Sequence, residues 1–229
     1  GISGFGVTFP ESNSNPINMP QSMGGFGRIE SDYQLLQVGL TYAYKISDKF
    51  SVGVAPTFNY SSLELSPNPL ASHDPAKGYP ISDKATALGM GGQFGLYYNS
   101  GMGLKFGVSY KTEQSFGEFE FKSNYVDGSA APSVTFKMNY PAIFSAGMGY
   151  SQKDFDLALD YRLVNYAKTE GFEAKGWTST ASVKGFGWEN ISVLSAGVQY
   201  KGVKKLPLRI GYTYSANPIN EDLAMFSLP

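Results

Sequence analysis

An antiparallel, up-and-down transmembrane β-barrel is the fold class that this 229-residue sequence predicts, and three observations predict it. Apolar residues alternate with small or polar ones over runs close to the roughly 9–11 residues of a membrane-spanning strand. The apolar positions are uniformly large and the others are Gly, Ser, Ala, Thr and Gln, whereas a soluble sandwich needs interdigitating sizes in its core; a soluble up-and-down barrel, which also alternates, is the bland alternative. Short connections alternate with long ones. The composition agrees: 27 Gly, 16 Tyr and 16 Phe suit a wall with one crowded and one aromatic face. No stretch approaches the roughly 18 consecutive apolar residues of a helical span, and strand-borne spans leave the mean hydropathy low, here −0.20.

The strands follow in order. Gly1–Phe9 places Phe5, Val7 and Phe9 on one face. Leu36–Ile46 sets Leu36, Val38, Leu40, Tyr42 and Tyr44 against Gln37, Gly39, Thr41, Ala43 and Lys45. A hairpin through residues 46–49 leads to Phe50, Val52, Val54, Pro56, Phe58 and Tyr60, opposed by Ser51, Gly53, Ala55, Thr57 and Asn59. Next, Leu88, Met90, Phe94, Leu96 and Tyr98 oppose Gly89, Gly91, Gln93, Gly95 and Tyr97, and Met102, Leu104, Phe106, Val108 and Tyr110 oppose Gly103, Lys105, Gly107, Ser109 and Lys111. One parity runs unbroken from Val134 to Tyr150, which predicts a single long strand. Phe155–Leu163 turns Asp156, Ala158, Asp160 and Arg162 inward. Leu194–Tyr200 and Leu206–Tyr214 complete the set. Leu40, Val54, Leu96, Phe106, Leu159 and Val198 are expected to face lipid, and Gly39, Gly53, Gly95, Ser109, Asp160 and Gly197 the interior. Tyrosines near strand ends, among them Tyr44, Tyr60, Tyr97, Tyr98 and Tyr200, are expected to form interfacial girdles.

Tight turns at 46–49, 99–101, 151–154 and 201–205 alternate with long loops at about 10–33, 65–85, 113–132 and 166–187. Outer-membrane barrels place such turns in the periplasm and such loops outside. The count is about nine strands, odd where bacterial single-chain barrels are even. The expectation is therefore a partial barrel over residues 1–229, with the remaining strands supplied by the same gene or another chain. Ser227-Leu-Pro229 does not read as an aromatic-ended closing strand.

The chemistry-bearing residues are few. Eighteen Lys+Arg against 19 Asp+Glu give a formal charge of −1, which argues against nucleic acid as a partner. There is no Cys for a thiolate site or a thiol nucleophile, and the one His, His73, sits in a loop beside Ser72 and Asp74 rather than on rigid elements as a catalytic group would. Asp154, Asp156 and Asp160 read as lumen charge rather than a calcium site. No enzyme activity, cofactor or metal is expected. Lys105, Lys111, Arg162 and Arg209 point inward by parity, as do Asp156 and Asp160, and mutual pairing is the simplest role for them. The alternative is a ligand carboxylate held by Lys111 or Arg162. Parity shifts across Gln114–Gly117, which predicts a one-residue β-bulge with Phe119 and Phe121 outward beyond it. Phe172, Trp177, Phe186 and Trp188 make an aromatic outer loop, either a capture lip for apolar ligands or a lid over the barrel mouth.

Residues 37–60, 89–125, 136–161 and 194–219, with the Asn139-Tyr-Pro141 step and the Ser215-Ala-Asn-Pro218 exit, resemble the outer-membrane long-chain fatty acid and hydrocarbon transporters of the FadL/TodX type. The resemblance implies the middle and later part of a 14-stranded barrel, without the N-terminal hatch, the kinked early strand or the closing strands of that family. It also implies an outer-membrane location in a Gram-negative bacterium and passive uptake of hydrophobic small molecules, with lipid or detergent as further partners. The connection between Leu65 and Ala85 departs from the family, being short and Pro-rich where fatty-acid transporters carry a longer helical loop, so the resemblance does not single out fatty acids over hydrocarbons. A barrel of the same fold without transport, acting as a secretion accessory or scaffold, is the competing reading. A polar porin fits less well, because this interior face carries little charge.

Overall fold

Alternation becomes a wall once neighbouring strands pair. The computed structural model describes residues 1–219, without the side chain of Phe5, so the expectation for Ser227–Pro229 lies outside the described residues. β1 (Ile2–Phe9), β2 (Ile29–Gly39), β3 (Tyr42–Lys45), β4 (Phe50–Ser66), β5 (Ile81–Ser82), β6 (Ala85–Asn99) and β7 (Leu104–Lys111) come first. β8 (Ser115–Phe116), β9 (Glu118–Asn124), β10 (Ala130–Lys137), β11 (Ile143–Ser151), β12 (Phe155–Val164), β13 (Ile191–Tyr200) and β14 (Leu208–Ser215) follow. Nine of them lie side by side in the order β1-β2-β4-β6-β7-β11-β12-β13-β14, all antiparallel, as an open half-barrel. Among the described residues no helix is long and apolar enough to cross a membrane.

The registers carry the face argument across the sheet. Leu36, Tyr60 and Leu88 form one cross-strand row on the convex face, and Phe50, Tyr98 and Phe106 form another. Phe50 and Tyr60 are ten residues apart on β4, about 33 Å of strand or about 25 Å of depth at a barrel's usual tilt, which is the height of the apolar band of an outer-membrane barrel. Leu40, Val54, Leu96, Phe106, Leu159 and Val198 are all exposed on the convex side, as expected. Gly53, Gly95, Ser109 and Asp160 line the concave side. Tyr97 is a correction: its odd position puts it on the concave wall rather than in a girdle.

β2 and β3 keep one register on β4 and are separated only at Leu40–Thr41. Leu40 N–H donates to the Pro56 carbonyl at 3.2 Å, but Pro56 has no N–H to return the bond.

The long loops build a second layer. β9 pairs with β10 and β5 in a separate three-stranded sheet, packed on the loop-side ends of β2, β4 and β6. The single strand expected over Val134–Tyr150 is therefore two strands, β10 in the small sheet and β11 in the wall, broken at Met138–Ala142 where Pro141 cannot donate to a ladder. The predicted bulge is present. Between the pairs Gln93↔Lys111 and Gly89↔Phe116, β6 advances four residues while the partner chain advances five. Beyond it the chain leaves the wall at Gly117, and Phe119 and Phe121 are not outward: both are fully buried in the small sheet's core.

Candidate functional site

On the concave side, inward-facing residues change character along the strands in three zones. At the loop end the positions are large and apolar. Tyr33, Leu35, Leu63 and Leu65 from the wall meet Phe116, Phe119, Phe121, Met138, Phe172 and Phe186 from the small sheet and the last long loop. Phe172 packs at a tilt against Phe186 (5.6 Å) and Trp188 (5.1 Å), and Tyr166 meets Phe172 and Trp188 edge-on at 4.8 Å each. Burial in this aromatic group pushes the Tyr166 hydroxyl well above its ordinary value. Trp177 and Trp188 are partly buried against the same cluster. The loop is thus a lid packed into the mouth, with Phe186 only 1% exposed.

Beneath it lies a polar layer. Gln114, fully buried, accepts at its Oε1 from Thr57 Oγ1 (2.5 Å), Asn59 Nδ2 (3.0 Å) and Gln37 Nε2 (3.3 Å), and its own Nε2 donates to the Thr112 carbonyl at 2.7 Å. Lys111 Nζ donates to Gln37 Oε1 at 2.7 Å and lies 5.0 Å over the Tyr140 ring. The bulge makes this arrangement: the extra residue carries Gln114 over β6, where only a glycine fits, since a Cβ at Gly91 would collide with the Gln114 amide. The Asn139-Tyr-Pro141 step ties the layer to the lid. Gln114 and Tyr140 exchange backbone bonds of 2.9 and 3.1 Å, while the Asn139 side chain accepts from Phe116 N–H (2.9 Å) and donates to Glu113 (2.6 Å).

The third zone is a chamber of about 1030 Å³ on the concave wall, where Gly53, Gly95, Gly107, Gly147 and Gly149 keep the surface low and Lys105, Asp160 and Arg162 supply charge. The expected pairing of Lys111 or Arg162 with Asp156 or Asp160 is not what forms. Asp156 bonds Lys201 at 2.9 Å and Gln199 at 3.2 Å, because the β13–β14 turn brings Lys201 over the end of β12. Lys111 reaches an amide, and among the described residues Arg162 is in no ion pair. The structure therefore gathers Phe172, Trp177, Phe186 and Trp188 into one cluster, sets Lys111 in the layer below it and places Arg162 on the chamber wall. His73 is exposed and edge-on to Tyr79 at 4.9 Å, and its backbone N–H donates to the Thr180 carbonyl of the last long loop at 3.1 Å. Sequence reasoning missed Gln37, Thr57, Asn59 and Gln114 as a unit, although the parity shift at Gln114 was the signal that something special sits there.

A family model for outer membrane protein transport proteins (OMPP1/FadL/TodX) matches residues 4–229. The chain belongs to this family. Nothing among curated protein sequences matches it. Among solved structures of FadL/TodX type, the Pseudomonas putida toluene transporter TodX has 18% identity and a TM-score of 0.65 over 94% of this chain and 63% of its own. The Ralstonia pickettii toluene transporter TbuX has 18% identity and a TM-score of 0.62, covering 94% of this chain and 64% of its own. A Pseudomonas aeruginosa FadL homologue has 14% identity and a TM-score of 0.62 over 83% of this chain and 51% of its own. This FadL/TodX-type chain thus spans less than two thirds of the barrels it matches, and at these identities the likeness is one of fold.

Proposed function

We propose that the protein is an outer-membrane channel of a Gram-negative bacterium through which hydrophobic small molecules, long-chain fatty acids or hydrocarbons, enter by passive diffusion. One observation carries this reading: an apolar aromatic mouth and, beyond the amide layer, a glycine-lined chamber lie along the inside of a wall whose other face is apolar. Phe172, Trp177, Phe186 and Trp188 would offer an apolar ligand its first burial, worth about 25 cal/mol per Å² of surface removed from water. Lys111 and Arg162, neither of them paired with a carboxylate among the described residues, would hold a ligand carboxylate. The wall itself would be completed by further strands of the same gene or of another chain, because among the described residues β1 and β14 each have one neighbour and open backbone edges in lipid cost several kcal/mol per group. No cofactor enters this reading.

The test is uptake of hexadecanoate, hexadecane and toluene by cells that depend on the complete protein. Uptake that requires the protein supports the channel; wild-type uptake of all three without it supports the scaffold reading instead. Lys111→Met and Arg162→Met separate the ligand classes. Weaker binding of hexadecanoate with hexadecane unchanged identifies a carboxylate partner, and equal loss of both shows a purely architectural role.

A further inference from the structure

Every hydrogen-bonding atom of the Gln114 side chain faces another part of the wall rather than the chamber. Its Oε1 collects donors from β2 (Gln37) and β4 (Thr57, Asn59), and its Nε2 gives one N–H to the Thr112 carbonyl. Gln37 Nε2 also donates to Asn59 Oδ1 at 2.6 Å, so the amides are cross-linked to one another as well as to Gln114. The layer so formed has a buried aromatic cluster on one side and a chamber lined with Gly, Ser and charged residues on the other. A boundary of that kind needs groups that end the hydrogen-bond network of water without leaving a buried donor or acceptor open, and a satisfied amide network does this.

We infer that Gln114 is a specificity-determining residue of the passage: its side chain seals the amide layer, so that water-soluble solutes are refused while apolar ligands arriving from the mouth part the lid and the layer together. The inference rests on the channel reading above. Three structural features converge on this one side chain. It is fully buried, it is placed by a one-residue bulge, and it lies in space that Gly91 leaves free. A polar solute gains nothing by displacing Gln114, because it would then stand against Leu63, Phe116 and Phe119. Without Gln114, Thr57, Asn59 and Gln37 lose their shared acceptor and recruit water, which gives water a continuous path along the wall.

Liposome swelling in arabinose, with the complete protein reconstituted, tests this. Wild-type protein should give little swelling. Gln114→Leu, which fills the same space without hydrogen bonds, should swell several-fold faster. Gly91→Ala, which pushes the untouched Gln114 off β6, should do the same. Heat-modifiable migration of each variant shows that its barrel is folded, and toluene uptake is measured alongside. If folded Gln114→Leu and Gly91→Ala are both as tight as wild type, the seal is refuted, whatever the uptake. If the two variants swell while no form of the protein takes up toluene, the seal stands and the channel reading falls.

Discussion

The lower and upper parts of β2, β4 and β6 are the same strands under opposite rules. From Leu88 to Tyr98 on β6, and at the matching rows of β2 and β4, the convex face is large and apolar and the concave face small. One residue pair higher the pattern inverts. Gln34, Ser62 and Thr86 make the next convex row, Asp32 and Glu64 follow, and Lys84 bonds Asp32 at 2.9 Å with Glu64 at 3.8 Å, while Leu35, Leu63 and Ala87 turn inward into the mouth cluster. Backbone geometry does not change at this line; the solvent outside it does. A residue's place is therefore decided by what lies beyond each face, and β4, at 17 residues, is long enough to serve both regimes.

Substitutions that obey one regime and violate the other sharpen this contrast. The largest effect is expected in the upper region's buried core: Phe121→Ala should cost about 3–5 kcal/mol of lid stability, read as loss of protection from external protease with the barrel still heat-modifiable. Next comes the same lysine placed on either side of the line. Phe94→Lys, near the middle of the apolar band, should destabilise the barrel in bilayers by about 2–4 kcal/mol, whereas Thr86→Lys, eight residues up the same face, should change it by less than about 1 kcal/mol in urea titrations. Equal costs would mean that the band does not end where the pattern inverts. Lys84→Ala removes a half-exposed ion pair and should cost no more than about 1 kcal/mol, less at high salt. The smallest effect is on alkaline pH. Tyr166 holds its proton more tightly in the folded lid than in the unfolded chain, so its contribution is fully present below the ordinary value of 10.0 and is lost as pH rises beyond it. Emission from Trp177 and Trp188 should report loosening of the lid above pH 10 in wild type and less of it in Tyr166→Phe.

The wall was legible because a strand in lipid writes its two faces into every second residue. Leu36, Val54, Leu96 and Val198 needed no other information. Glu30–Leu35, the upper part of β2, reverses the polarity that a strand in lipid shows, so a face rule calibrated on lipid does not find a strand that has risen out of it. Phe119 and Phe121 are inward where parity alone points outward, for the same reason: alternation gives the period, and the surroundings give the sign. The break at Pro141 was hidden by parity that persisted by coincidence on both sides. For the candidate site, the aromatic group and Lys111 were visible as residue types. The partners of Gln114 were not, since they come from strands 55 to 77 positions distant and share no local pattern.

The abrupt row change beside Lys84 also fixes how the molecule rides in a membrane of varying thickness. Sliding outward by one residue pair, about 5 Å of depth, would wet Leu36, Tyr60 and Leu88; sliding inward would drown the Lys84–Asp32–Glu64 group in hydrocarbon. The opposite rim carries Tyr98 and Tyr200, whose rings tolerate either medium. A wall held at that line takes up thickness mismatch at its turn side.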